Sequence, residues 1–507
     1  MECILVIDQG TTGTQAALYD CYTLEKWAQF KVDFYQHFPQ PGWVEHQASE
    51  IWQSVQKACL MCLEKAHQSG KSPQIRAIGI TNQRESCLAW DITTGEVVSP
   101  VLVWQDRRTA EKCEDLQKNQ VLHKRITQLT GLNCDPYFSA TKMSWILENI
   151  PQAKTLSQRS KLGLGTIDCY LISRLTGFKE FVTDHTNASR TMLYELESGG
   201  FSQELCQIFG IPFSALPKVL PSLSIGTPKG FGTTKDVGFL PNGIPILSCL
   251  GDQQSALYGH DATTPGSGKL TFGTGSFALL SMGTQLLSQA PGLLQTVAMS
   301  SPSERTFALE GSAFSCGCAL DTLVQNFKFL SHIGELENLL HSRSRDPHLM
   351  YIPALTGLGA PWWLPEAKGA LFGLTRGTHN SQIAHAVCEA IVIQNLILLE
   401  TMAEISSVTL KELRVDGGPT KNKTLMQMQA DSLGIPLNLP MDPEVTALGV
   451  AKGARVALGI RQDLGQRSSQ TIDPRAENKP FWNREKRRFK AGVEALKKLY
   501  DPSQGDF

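Results

Sequence analysis

Basic residues are not in excess in this chain: Lys and Arg number 47, against 48 Asp and Glu. A sequence so balanced lacks the cationic field that holds a nucleic-acid backbone or an anionic membrane surface. Long apolar runs are missing as well, and no segment approaches the roughly 18 unbroken apolar residues of a membrane span. Glu2 stands where a basic leader would begin, so no secretory signal is expected. Low-complexity sequence is absent. The cysteines do not come in an even set: 13 are scattered over 507 residues, which fits reduced thiols in a cytoplasm better than a disulfide frame. Metal-binding spacing is equally poor among them. Cys59 and Cys62 form a C-x-x-C, but within SEIWQSVQKACLMCLEKA the residues Ile51, Val55, Cys59, Cys62 and Leu63 recur at helical spacing and read as a buried helix face. Cys316 and Cys318 lie one residue too close to complete a zinc pair. GSGKL (266–270) looks like the tail of a nucleotide P-loop, yet Thr263 stands where its first Gly belongs and Leu270 where a hydroxyl must meet the metal.

What the chain does have is alternation. With 41% hydrophobic and 19% charged residues over 507 positions, it is a globular protein too long for one core, so two large domains, or three, are expected. Strand-like and helical runs alternate throughout, an α/β signature. ILVIDQGTTGTQAALYD (4–20) begins as a β-branched apolar run ended by Gly and reads as a buried strand. Ala16, Ala17 and Leu18 can pair back onto it, making Gln9 to Thr14 a hairpin turn. Such a turn offers unobstructed N–H groups and hydroxyls to an anion; it is equally compatible with an ordinary Gly turn and a capping Asp. A carboxylate at its mouth, Asp8, makes sense beside phosphates mainly with a cation between them. Farther on, Ser49 is positioned to cap the helix that carries the C-x-x-C. IRAIGITNQRES (75–86) and PVLVWQDRRT (100–109) return as strands whose ends carry Arg84, Glu85 and Trp104. Polar strand ends are where open α/β sheets build their sites.

The second half restates the first. GKLTFGTGSFALLSMG (268–283) is again strand, Gly-Thr turn, strand, with Gly273-Thr274 echoing Gly10-Thr11. A third Gly turn, in LRVDGGPTKNKTLMQMQADSLGI (413–435), follows a strand at Leu413–Val415 and precedes a helix from Thr424. A duplicated domain pair with a cleft between the halves is implied, the first half ending around 250–262. Two Gly-Thr hairpins facing one another would clamp a polyphosphate, and phosphoryl transfer then needs magnesium, a base beside the acceptor hydroxyl, and exclusion of water. ILSCLGDQQSALYG (246–259) offers Asp252 as that base, although Asp252 would serve as well as a plain helix cap. The terminal NREKRRFKAGVEALKKLYD (483–501) reads as a docked amphipathic helix.

Twelve stretches carry a resemblance beyond any of these signals. DQGTTGT, GWVEH, GITNQRE, VWQDRRT, DPYFSATKMSWILEN, VTDHTNASRTML, GDQQSALYG, TFGTGSF, YIPALTGLGAPWW, GALFGLTRG, RVDGGPTKN and EVTALGVAKG together resemble the FGGY carbohydrate kinases, in order, from Asp8 to about Gly453. Within that family the likeness is strongest to the branch that phosphorylates glycerol. The resemblance implies an α/β fold of two duplicated ribonuclease-H-like domains, 1–254 and 255–507, with a catalytic cleft between them. It implies ATP and Mg²⁺ as donor and metal, glycerol as acceptor, a cytoplasmic enzyme and a homo-oligomer of two or four copies. Residue by residue, it assigns Asp252 as general base and Arg84, Glu85, Trp104, Tyr137, Gln253 and Phe277, with Asp252, to the acceptor. It assigns Thr11, Thr12, Gly13, Gln15, Thr274, Gly317, Asp321, Gly418 and Asn422 to the nucleotide, and Asp8 to the metal.

Departures fall on the nucleotide side. Where the family has Thr-Ser-Ser-Arg, this chain reads Thr12-Gly13-Thr14-Gln15, and Gln15 supplies no positive charge. Asp321 stands in place of a Gln, with Thr322 and Val324 in place of a Trp and an Arg. TTKDVGFLPNG (233–243) does not resemble the loop through which some relatives bind a sugar-bisphosphate inhibitor. The alternatives are a kinase of another small polyol or sugar and a nucleotide-binding regulator without activity, both on the same fold.

Overall fold

The computed structural model describes residues 1–442, 444–460 and 469–500. Its first large sheet is built from β1 (Glu2–Gln9), β2 (Gly13–Asp20), β3 (Lys26–Asp33), β4 (Gln74–Asn82) and β5 (Ile246–Gly251) in the order β5-β4-β1-β2-β3. β1, β2 and β3 form an antiparallel meander, while β4 and β5 join as parallel strands. The opening apolar run is continuous because β1 is covered on both faces. Leu5 and Ile7 meet Ile51, Val55, Cys59 and Cys62 of the helix Ala48–Gln68 on one side. Ile4 and Val6 meet Val450, Ala451 and Ala454 of the helix Val445–Ala457 on the other. That second helix comes from the far end of the chain and lies against the first sheet so closely that small residues are required. A Cβ on Gly79 of β4 would sit 2.9 Å from the Val450 carbonyl oxygen.

The second large sheet adds β6 (Ser267–Phe272), β7 (Ser276–Gly283), β8 (Leu294–Ser300), β9 (Arg305–Ala313), β10 (Glu412–Asp416), β11 (Leu437–Pro440) and β12 (Ser469–Ile472). Its order is β8-β9-β7-β6-β10-β11-β12. Removing the edge strands β8 and β12 leaves β9-β7-β6-β10-β11, which repeats β3-β2-β1-β4-β5 strand for strand and direction for direction. The duplication inferred from two Gly-Thr turns is therefore a duplication of topology. Among the described residues one helix, Asn380–Ser406, is long and apolar enough to cross a membrane, but 83% of its apolar window is buried within the second domain's core.

Local expectations fared unevenly. The C-x-x-C thiols are buried on a helix, and all 13 cysteines are free. Ser49 is not the cap: the helix begins at Ala48 and the residue before it, Gln47, is extended at φ −88° and ψ 123°. The strand expected through Trp104 stops early, at Val101–Leu102, and the chain then turns. The expected division at 254/255 falls inside the helix Asp252–Gly259. The C-terminal helix runs Lys479–Leu499, and Asp501 of the expected run lies outside the described residues.

Candidate active site

Three parallel neighbours, β1, β4 and β5, end side by side, with Gln9 opposite Asn82 and Asn82 opposite Gly251. Their ends deliver Asp8, Arg84 with Glu85, and Asp252 to one place, as the ends of adjacent parallel strands do in open α/β sheets. Asp252 opens the helix that follows β5, and its Oδ1 accepts from the Gln253 amide at 2.6 Å. It is thus both a first-turn residue and a carboxylate facing the cleft, with a side chain 34% exposed. Arg84 Nε lies 3.5 Å from Asp252 Oδ1 and 3.7 Å from Glu85 Oε1. Glu85 is held in the left-handed region, φ 60°, a strained conformation for a residue with a Cβ and one that clusters at functional sites. Ser139 Oγ donates to its carbonyl at 2.8 Å, and Arg190 Nε to its carboxylate at 2.6 Å.

Aromatic rings wall this site. Trp104 and Tyr137 meet edge to face, centroids 5.6 Å apart at 78°. The Tyr137 hydroxyl accepts from Arg84 Nη2 at 3.4 Å, and the fully buried Lys142 pins the loop by donating to the Pro136 and Tyr137 carbonyls at 2.8 Å. Trp104 Nε1 donates to Thr11 Oγ1 at 3.0 Å, so the first Gly-Thr turn and the aromatic wall are one unit. Phe277 comes from β7 of the second domain, in register with Thr271 on one side and Ser312 on the other.

The two Gly-Thr turns have matching closures. Gly10 N–H donates to the Gly13 carbonyl at 2.9 Å, and Gly273 N–H to the Gly275 carbonyl at 2.8 Å. Thr12 is exposed at the first turn. The second turn is braced by the start of the helix Gly317–Gln325: Cys316 and Cys318 N–H groups donate to the Thr274 carbonyl, and Gly317 N–H to that of Gly273. Gly317 must be Gly, since a Cβ there would fall 2.6 Å from the Gly273 oxygen. Beside this brace lies a cavity of about 480 Å³ lined by Cys318, Asp321, Thr322, Gln325, Phe327 and Tyr351. Gly418 faces open space, and Asn422 spends its side-chain oxygen capping the helix Lys423–Leu433.

Two assigned residues are engaged elsewhere. Gln15 Nε2 donates to Glu444 Oε2 at 2.6 Å rather than standing free at the turn. Gln253 Oε1 accepts from Lys269 Nζ at 2.7 Å. Three charged residues that the sequence did not single out, Glu310, Arg190 and Lys269, complete the arrangement. Glu310 on β9 binds Arg84 through two hydrogen bonds, 2.6 and 2.9 Å, and Arg190 through a third at 3.0 Å. Lys269, fully buried on β6, also donates to Thr271 Oγ1 at 2.8 Å. A carboxylate directly after the apolar run Phe307-Ala308-Leu309 of this strand was the available signal for Glu310.

Electrostatics set the carboxylates apart. Burial opposes ionisation of Glu310, but Arg190 and Arg84 overcome it and hold the carboxyl down to about 2. Burial pushes Asp252 above the ordinary range, against the pull of Arg84 and Lys269. Asp8 is pushed to about 8, by burial first and then by Asp252 and Glu444, with only Lys31 opposing. A concentration of negative charge with this donor chemistry is relieved by a divalent cation, so Asp8 fits a magnesium ligand. Without cation, the folded chain keeps a proton on Asp8 up to about 8 that the unfolded chain, at 3.8, has already released. Between those values stability from this group falls as pH rises, since the folded form binds more protons. Asp8→Asn cannot ionise. In cation-free buffer it is expected to melt well above the parent at about pH 8.5 and by much less at about pH 5. An equal difference at both, by calorimetry, would refute this.

Comparison with known proteins agrees with this architecture. The N-terminal domain of the FGGY family of carbohydrate kinases matches residues 3–259 and its C-terminal domain residues 268–458. A glycerol kinase of Bdellovibrio bacteriovorus is 43% identical over 462 residues, spanning 91% of this chain and 92% of that one. The crystal structure of Plasmodium falciparum glycerol kinase with ADP is similar with a TM-score of 0.91 at 30% identity, covering 98% of both chains. A gluconate kinase from Lactobacillus acidophilus shares the fold at a TM-score of 0.86 and 22% identity, over 98% of this chain and 99% of that one.

Proposed function

The chain belongs to the FGGY family of carbohydrate kinases, and from that premise we propose that it transfers the terminal phosphoryl group of ATP to a primary hydroxyl of glycerol. The observation that carries the reading is Asp252 beside Arg84 and Glu85, at the ends of adjacent strands and under the Trp104–Tyr137 wall. A small polyol needs several directional hydrogen bonds and an apolar surface for its CH groups; the Arg84 and Glu85 side chains and the two rings supply them. An analogue lacking one hydroxyl would leave buried polar groups unpaired, which discriminates strongly.

In the reaction, Asp252 accepts the proton of the attacking hydroxyl as the O–P bond forms, and ADP departs with the electrons of the broken bond. Burial keeps Asp252 basic enough to take that proton. The Gly10–Gly13 and Gly273–Gly275 turns offer N–H groups and the hydroxyls of Thr11, Thr12 and Thr274 to the phosphates. The nucleoside is assigned to the cavity beside Gly317, with Asp321 on its wall and Gly418 and Asn422 nearby in function. Asp8 would hold Mg²⁺, which neutralises charge on the phosphates when bound. Gln15 serves the nucleotide indirectly, by fixing Glu444. The division into a domain 1–254 that carries most of the acceptor site and the first phosphate turn and a domain 255–507 that carries the second phosphate turn and the adenosine site, a cytoplasmic location in keeping with 13 free thiols, and a dimer or tetramer belong to the same proposal.

The test is coupled detection of ADP release with glycerol, xylulose, gluconate and no acceptor. Turnover is expected with glycerol alone among these. Turnover with xylulose or gluconate and none with glycerol would move the assignment to another sugar kinase, and absence of turnover with all three would remove it.

A further inference from the structure

The acceptor arginine is gripped from the opposite domain. Arg84 turns its two terminal nitrogens to Glu310, a residue 226 positions away on β9, and leaves its Nε edge toward Asp252 and Glu85. Arg190 closes the group, bonding Glu85 through Nε and Glu310 through Nη2. The side chains of Arg84, Glu85, Arg190 and Glu310 are each no more than 2% exposed, so two positive and two negative charges balance in a site almost without water. Arg190 Nη1 has no partner among the described residues, and the ring planes of Tyr137 and Phe138 flank its guanidinium at 5.6 and 5.1 Å.

We propose that Glu310 is the positioning residue that holds Arg84 in register for the acceptor and keeps its bidentate edge off Asp252. Three carboxylates surround Arg84, and only Glu310 uses both of its oxygens on it. A guanidinium prefers a two-oxygen partner in a fixed plane. With Glu310 neutral, that edge is free to rotate toward Asp252, 3.5 Å from Nε. Such a rotation would both withdraw the acceptor's hydrogen bonds and occupy the base. Because β9 belongs to the second domain, the acceptor pocket of the first is incomplete without its partner domain. The nucleotide turns contain none of these four residues, so the effect is confined to the acceptor side.

This inference rests on the glycerol assignment, and the two fail separately: the parent protein's turnover with glycerol tests the assignment, and variants of Glu310 test the inference. Glu310→Gln keeps shape and loses charge. It is expected to raise KM for glycerol about thirtyfold, the scale of a broken buried charge pair. The kcat should fall severalfold, and KM for ATP should change little. Glu310→Asp keeps the charge on a shorter arm and should recover part of the glycerol KM. A folded Glu310→Gln protein with parental KM for glycerol, or a loss shared equally by both substrates, would overturn the proposal. Should Glu310→Gln not fold, Glu310→Asp decides: a raised KM for glycerol alone supports the positioning role, and an unaltered one ends it.

Discussion

Asp252→Asn is expected to reduce glycerol-dependent ADP release by about 10²–10⁴-fold, the contribution of a positioned base, while glycerol still binds. The amide retains the size and the oxygen that faces Arg84 Nε, but it cannot take a proton. Little stability should be lost, because the native carboxylate is already penalised by burial that lifts its pKa. An uncharged side chain avoids that cost, and the melting temperature should hold or rise. The measurements are single-turnover ADP release and glycerol binding by calorimetry. Undiminished phosphoryl transfer would dismiss Asp252 as the base.

Arg84→Met should be the most damaging single change to the protein as a whole. It strips Glu310 of two of its three hydrogen bonds and leaves Glu85 and Glu310 sharing one cation, Arg190. Breaking a buried ionic group by removing one member costs about 3–5 kcal/mol, because the remaining charges stay desolvated without compensation. Glycerol binding should disappear together with that stability. Urea unfolding reads the first effect and calorimetry the second. A variant as stable as its parent would mean that water enters the cluster and screens it.

What could be read from the residues follows physical range. The Gly-Thr turns at 10–13 and 273–275 were legible because a turn is decided by a few neighbouring residues and their φ angles. The buried β1 was legible from four consecutive apolar side chains, and the helix thiols from their spacing. Asp252 and Arg84 could be placed at strand ends, and the family resemblance gave them roles. Glu310, Arg190 and Lys269 were not legible, since each gains its meaning from a partner brought in by the fold. Glu310 meets Arg84 across 226 positions and Lys269 meets Gln253 across 16, one between domains and one between a strand and the helix before it. Gln15 shows the same limit: its lack of charge is legible, but its hydrogen-bond partner Glu444, 429 residues away, is not.

The helix Val445–Ala457 ties the two halves of the repeat into one folding unit. Its residues Val450, Ala451 and Ala454 form one roof of the first sheet, over Ile4, Val6 and Ala17. Severing the chain near the junction would strand that sheet with an entire oily side bare to solvent, at about 1.5–3 kcal/mol for each large side chain uncovered. The two copies thus share a strand topology without being self-sufficient. Their interlocked ends make translation to the last third of the chain a precondition for the first third to become sealed.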